Sequence, residues 1–159
     1  MQTMKNNDEI LPYLNKRFGT LLVAAGVYTR IFSRRSFQNS KLEITPEQFV
    51  VIEILMQHDG LYQRQLCELA IKDRPNMTRI INILEKSGYV ERKSDKNKRK
   101  VYKIFLTQKT KEMFSKLSFT ANNYRSTIIE GVNEDELNVC KKVLSKVVDN
   151  LLDKVDISM

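Results

Sequence analysis

Between Asp73 and Lys86 the chain sets an amide, a hydroxyl and a guanidinium at Asn76, Thr78 and Arg79, with a second amide at Asn82. In a helix turning about 100° per residue, Pro75, Arg79, Asn82 and Lys86 share one side and Asn76 and Thr78 flank them. Met77, Ile80, Ile81 and Leu84 stand at i, i+3, i+4 and i+7 and form the opposite, aliphatic side. Such a helix is suited to a major groove, where amides and guanidinium groups match the donors and acceptors of base edges. It is not suited to covalent chemistry. The sequence has no paired carboxylates in an expected pocket, no G-x-S-x-G, no phosphate-binding glycine loop and no metal-ligand cluster. One histidine, His58, and two separated cysteines, Cys67 and Cys140, make no zinc ligand set. No enzymatic activity, cofactor or metal site is therefore expected.

The elements that must hold this helix lie on either side of it, from Leu61 to Leu106. Leu61 can make a short extended contact. A helix over about 63–71 would bury Leu66, Cys67, Leu69 and Ala70, with Cys67 serving as a small core residue. Asp73 is placed to cap the reading helix, Pro75 falls in its first turn, where a missing N–H does no harm, and Gly88 stands where a left-handed residue would end it. Tyr89 to Lys93 and Val101 to Leu106 read as two strands, with Tyr102, Ile104 and Leu106 on one face. The turn between them, Ser94 to Lys100, contains one acid and four bases. A basic hairpin tip directly after a groove-reading helix should reach adjacent phosphate or a minor groove. Two short helices followed by such a hairpin make a winged helix-turn-helix.

Charge agrees with that reading. The 159-residue chain carries a net charge of +8, and residues 61–111 hold 14 Lys and Arg against 5 Asp and Glu. A local excess of that kind attracts phosphate and gives salt-dependent binding. Two cysteines cannot form a disulfide framework, and the sequence has no signal-peptide pattern and no apolar run near the roughly 20 residues needed to span a membrane. A cytoplasmic setting without membrane contact is the expectation.

The flanks are helical. Leu11, Leu14, Phe18, Leu21, Ala25, Tyr28 and Phe32 recur every three or four residues in a long first helix. Thr45 is placed as the N-cap of the next helix, with Pro46 in its first position and Gln48 closing a capping box, while Phe49, Ile52, Leu55 and Met56 form its buried face. After Thr107, a helix runs through Met113, Leu117, Thr120, Ala121 and Tyr124 to Gly131, and Asn133 caps the last one. Its stripe of Leu137, Cys140, Leu144, Val147, Val148, Leu151 and Val155 is longer than a compact lobe needs for its own core, which points to a second copy of the chain as partner. The expected fold is mainly α with a small β-hairpin wing: a single domain over 1–159, with a winged-helix DNA-binding lobe at 45–106 and a helical dimerisation lobe at 9–38 and 107–156.

This order of elements resembles the MarR (multiple antibiotic resistance regulator) family of bacterial transcription factors from about Leu11 to Val155. Its most specific part is Asp73-Arg74-Pro75-Asn76-Met77-Thr78-Arg79-Ile80-Ile81, followed by Leu84-Glu85-Lys86-Ser87-Gly88-Tyr89-Val90-Glu91-Arg92 and Leu106-Thr107. The family's wing reads D-P-x-D-R-R, whereas this chain has Asp95, Lys96, Asn97, Lys98, Arg99 and Lys100. Lys98 thus replaces the second acid, leaving Asp95 to brace Arg99. The resemblance implies a homodimeric repressor on a palindromic operator in double-stranded DNA. Asn76, Thr78, Arg79 and Asn82 would work in the major groove, presented by a first turn containing Pro75, with Arg74 and Lys86 on flanking phosphates. Arg99 would enter the minor groove, helped by Lys98 and Lys100, and Gln63 and Gln65 would fix register on the backbone. Members commonly respond to small aromatic acids or phenols, so such an effector is a further expectation. Peroxide-sensing members carry a cysteine near the start of the first helix, and this chain has none before Cys67. The rival reading is a winged-helix protein–protein interaction module whose basic surface meets an acidic partner. It has no need for Asn, Thr and Arg on one helix face beside a basic wing.

Overall fold

The structure, a computed structural model, describes residues 17–40, 43–95 and 101–155. Its first described helix, α1, is Phe18–Asn39. It is followed by α2 (Pro46–Gln57), the two-residue strand β1 (Leu61–Tyr62), α3 (Gln63–Ala70) and α4 (Arg74–Lys86). Strands β2 (Val90–Ser94) and β3 (Tyr102–Leu106) then lead to α5 (Gln108–Ile128) and α6 (Glu134–Leu152). The fold is thus mainly helical with a small antiparallel sheet. That sheet has three strands, in the order β1-β3-β2. Leu61 lies opposite Ile104 and Tyr62 opposite Lys103, while β2 and β3 pair from Val90↔Leu106 to Ser94↔Tyr102. The hairpin expected from the sequence is therefore joined by a third strand, which ties it to the start of α3.

The helix starts follow from side chains that satisfy orphan amides. Thr45 Oγ1 accepts from the Gln48 N–H at 3.3 Å, and Gln48 Oε1 accepts from the Thr45 N–H at 2.8 Å, closing a capping box. Thr107 caps α5 through the Thr110 N–H, and Asn133 caps α6 in a box with Glu136. Gly88 and Gly131 take φ of +73° and +80° after α4 and α5, which an L side chain adopts only with strain.

One core joins these elements. Phe49, Val51, Ile52 and Leu55 of α2 pack with Leu66 of α3, with Met77, Ile81 and Leu84 of α4, and with Ile104 of β3. Phe37 of α1 and Leu117 and Ala121 of α5 complete it. The Phe37 ring lies 5.7 Å from that of Phe49 and 6.0 Å from that of Tyr124. Arg125 of α5 grips Glu53 of α2 through two hydrogen bonds at 2.8 and 2.7 Å, and the carboxylate raises the guanidinium's already high pKa. Each fully buried large apolar side chain contributes roughly 1.5–3 kcal/mol, so this cluster carries the stability that α4 borrows.

Two expectations about burial are corrected. Leu69 is 54% exposed, because α3 is a single pair of turns and only Leu66 and Cys67 face α2 and α4. Met56 is exposed and Val51 is buried in its place. The seam of the first helix, from Phe18 through Leu21 and Tyr28 to Phe32, is exposed in the single chain, and its buried residues are Ser33 and Phe37. Helix α6 buries no residue at all, so Val139, Val143, Val148, Leu151 and Leu152 all face outward. Among the described residues, no helix is long and apolar enough to cross a membrane.

Candidate nucleic-acid interface

Helix α4 is organised by its two faces. Met77, Ile80, Ile81 and Leu84 are buried, which rotates Arg74, Pro75, Asn76, Thr78, Arg79, Asn82 and Lys86 outward, and all seven are exposed. Asp73 starts the helix: Oδ1 accepts from the Asn76 N–H at 2.7 Å and Oδ2 from the Asn76 side-chain amide at 2.6 Å. These donations hold the Asp73 carboxyl below the usual carboxylate range. Arg74, Arg79 and Lys86 form no ion pair with another described residue, so three positive heads are left to face phosphate or bases.

Three of the groove-facing side chains are held before any ligand arrives: Asn76 by Asp73, and Thr78 and Asn82 by partners on other turns and elements. The Thr78 hydroxyl donates to the Arg74 carbonyl at 2.8 Å and accepts from the Gln63 side-chain amide at 2.6 Å. Gln63, expected to fix register, thereby locks the start of α3 onto α4. The Asn82 side-chain oxygen accepts from Arg92 of β2 at 2.7 Å, and the same guanidinium is paired with Glu85. Gln65 accepts the Tyr62 N–H at 2.9 Å and so closes the start of α3.

Arg92 is a residue that reasoning from the sequence did not assign. It is separated by seven and ten residues from its partners. The signal available was its place at the end of the run Leu84 to Arg92, which carries the family resemblance but gave Arg92 no role. Tyr62 is a second unassigned residue: its hydroxyl donates to Asp95, at the end of β2, which raises the phenol's pKa. Lys98, Arg99 and Lys100 lie outside the described residues, and so does the expected bracing of Arg99 by Asp95. Cys67 is buried, which pushes its thiol pKa up and suits a core residue.

A cleft of about 640 Å³ opens between α1, the start of α2 and α4. Its rim carries Arg30, Arg34, Lys72 and Arg79, while Phe37 and Ile80 stand among its apolar residues. Arg34 donates twice to Glu47 Oε1, at 2.6 and 3.2 Å, across the junction of α1 and α2. A smaller cleft of about 470 Å³, lined by Tyr62, Gln63, Gln65, Arg92 and Tyr102, separates the start of α3 from the sheet.

The model of the MarR family matches residues 44–101, from the start of α2 into the wing. The chain is similar to the uncharacterized HTH-type transcriptional regulator YybA of Bacillus subtilis, with 24% identity over 110 residues, 69% of this chain and 73% of that protein. Its fold is similar to that of BpsR from Bordetella bronchiseptica, whose DNA binding is regulated by 6-hydroxynicotinic acid. The TM-score is 0.76 at 19% identity, over 89% of this chain and 96% of that one. It is also similar to the transcriptional repressor CouR bound to a 23-mer DNA duplex, with a TM-score of 0.75 at 20% identity, over 85% and 94% of the two chains.

Proposed function

We propose that this chain, whose residues 44–101 match the MarR family, is a DNA-binding transcriptional regulator of that family that works as a homodimeric repressor on a roughly palindromic operator. The observation that carries this reading is α4 itself: a helix capped by Asp73 and anchored by four buried aliphatic residues, with seven polar, charged or proline positions outward. Arg79 and the amides of Asn76 and Asn82 take base edges, Arg74 and Lys86 take phosphates, and Arg99 with Lys98 and Lys100 takes the minor groove. Gln63 holds Thr78 in place for this task.

The exposed apolar seams of α1 and α6 support the dimer. A soluble chain rarely leaves so many valines, leucines and phenylalanines uncovered on two long helices. Pairing them in a second copy gives two reading helices, which on B-DNA must reach successive major grooves about 34 Å apart. The cleft beside α4 supports relief by a small effector. Its guanidinium rim and apolar wall suit an aromatic acid or phenol, and Asn76 and Arg79 line it as well as facing the groove. A ligand that engages Arg79 there withdraws it from DNA.

Footprinting of the purified protein on the DNA flanking its own gene, with random competitor, tests the reading. Protection of a two-fold site of about twenty base pairs is expected. Salt-sensitive smearing without a protected site would refute it and leave a basic surface for an acidic protein partner.

A further inference from the structure

Tyr62 ends β1 and immediately precedes α3, the position where a short Ser, Thr, Asp or Asn side chain would cap the helix. Its own side chain makes no capping hydrogen bond, and Gln65 covers the neighbouring backbone instead. What tyrosine gives up in capping it gains in reach. Its ring lies 5.2 Å below the Lys103 ammonium, and its hydroxyl donates to Asp95 Oδ2, 33 residues away in the chain. Asp95 stands at the base of the wing, where its N–H donates to the Val101 carbonyl at 2.8 Å and closes the hairpin above the last ladder pair, Ser94↔Tyr102.

The next residue, Gln63, is bonded at 2.6 Å to Thr78 on α4. Tyr62 and Gln63 are joined by one peptide bond, so the base of the wing and the reading helix are held by two consecutive side chains. The middle of β2 is held to α4 by Arg92 on Asn82 and Glu85. At that level and the next toward the wing, β1 adds only the pairs Leu61↔Ile104 and Tyr62↔Lys103.

We infer that Tyr62 is a positioning residue: its hydroxyl clamps Asp95 and sets where the wing stands relative to α4, and hence the spacing between minor-groove and major-groove contacts. Only that last consequence rests on the DNA-binding reading; the clamp itself is a property of the free protein.

Hydrogen exchange on the full-length chain without DNA tests the clamp. Tyr62→Phe keeps the ring beneath Lys103 and the β1 pairing, so the fold is retained. Exchange of the β2–β3 amides next to Asp95 should rise roughly three- to tenfold, as expected for loss of one charge-assisted hydrogen bond, while α2 and α5 stay unchanged. In an Asp95→Ala background, where the acceptor is gone, Tyr62→Phe should add nothing further to hairpin exchange. Unmoved hairpin amides in Tyr62→Phe, or additive effects in the double variant, would overturn the clamp. Duplex titration separates the two readings. If wild type binds its footprint and Tyr62→Phe binds more weakly in proportion to its loosened wing, both stand. If the hairpin loosens but wild type shows no specific duplex binding, the clamp stands and the DNA reading falls. If wild type binds specifically and Tyr62→Phe changes neither quantity, the clamp alone falls.

Discussion

Replacing Ile71 with asparagine should stabilise this protein, although it removes an apolar side chain. Ile71 ends α3 with φ 51° and ψ 58°, and it is the one non-glycine at positive φ among the described residues. A left-handed conformation costs an L-residue roughly 1–2 kcal/mol, and a branched Cβ places isoleucine at the upper end. The turn demands it: the Ile71 N–H donates to the Glu68 carbonyl and the Lys72 N–H to that of Cys67, which aims the chain into α4. The side chain itself returns little, because Ile71 is 66% exposed. If full burial is worth roughly 1.5–3 kcal/mol, the buried third supplies about 0.5–1 kcal/mol. Asparagine tolerates this conformation without glycine's extra freedom in the unfolded chain, so the net gain should be about 0.5–1 kcal/mol. Glycine relieves the same strain but loses about 0.5–1 kcal/mol of that gain to unfolded-state entropy and should come out near neutral. Urea melts at constant protein concentration measure the change without interference from subunit association. An asparagine variant no more stable than wild type, or an equal gain from Ile71→Val, would refute the argument.

Four further outcomes follow from the same structure. Gly60 and Gly88 both have positive φ, but a Cβ on Gly60 would lie 2.6 Å from the Phe105 ring while one on Gly88 meets open space. Gly88→Ala should therefore cost about 1–2 kcal/mol and Gly60→Ala about 2–4 kcal/mol in a urea melt, and equal costs would show that the clash is relieved freely. Glu47 is pulled up by burial, but hydrogen bonds and charge, chiefly from Arg34, more than offset this and hold its pKa below the unperturbed 4.5. The unfolded chain thus takes up this proton first, so the Arg34 pair adds stability above pH 4.5 that drains away as pH falls through the folded value. The stability gap between wild type and Arg34→Gln should narrow from about pH 6 to about pH 3, and a constant gap would contradict the assignment. Arg79→Ala should cost about 1–3 kcal/mol of operator binding and relax sequence preference, whereas Arg99→Ala should reduce the salt slope by about one unit, both read by titration on the footprinted site. Val148→Asp places a charge on the uncovered face of α6 and should convert a dimer mass in light scattering to a monomer mass, and wild type already monomeric at micromolar concentration would remove the dimer.

Much of this protein is legible from short range in its sequence. Thr45, Asp73, Thr107 and Asn133 each cap a helix through the residue three positions on, and the 3.6-residue period of Met77, Ile80, Ile81 and Leu84 turns the polar side of α4 outward. Gly88 marks the end of α4 for the same kind of reason, since the conformation it takes is penalised for almost every other residue. These signals act between neighbours on one turn, so the primary structure alone determines them.

Tertiary packing decided the rest. No local pattern tells that Arg92 would take the amide oxygen of Asn82, that Gln63 would hold Thr78 across 15 residues, or that Tyr62 would reach Asp95 across 33. Leu69 and Met56 fit their helical periods yet face outward, because what buries a residue is the neighbour that arrives, and α3 meets α2 and α4 only along Leu66 and Cys67. The seam of α1 obeys its period and lies bare in a single chain for the same reason. Periodicity states which face could be covered; only the assembled fold supplies the surface that covers it.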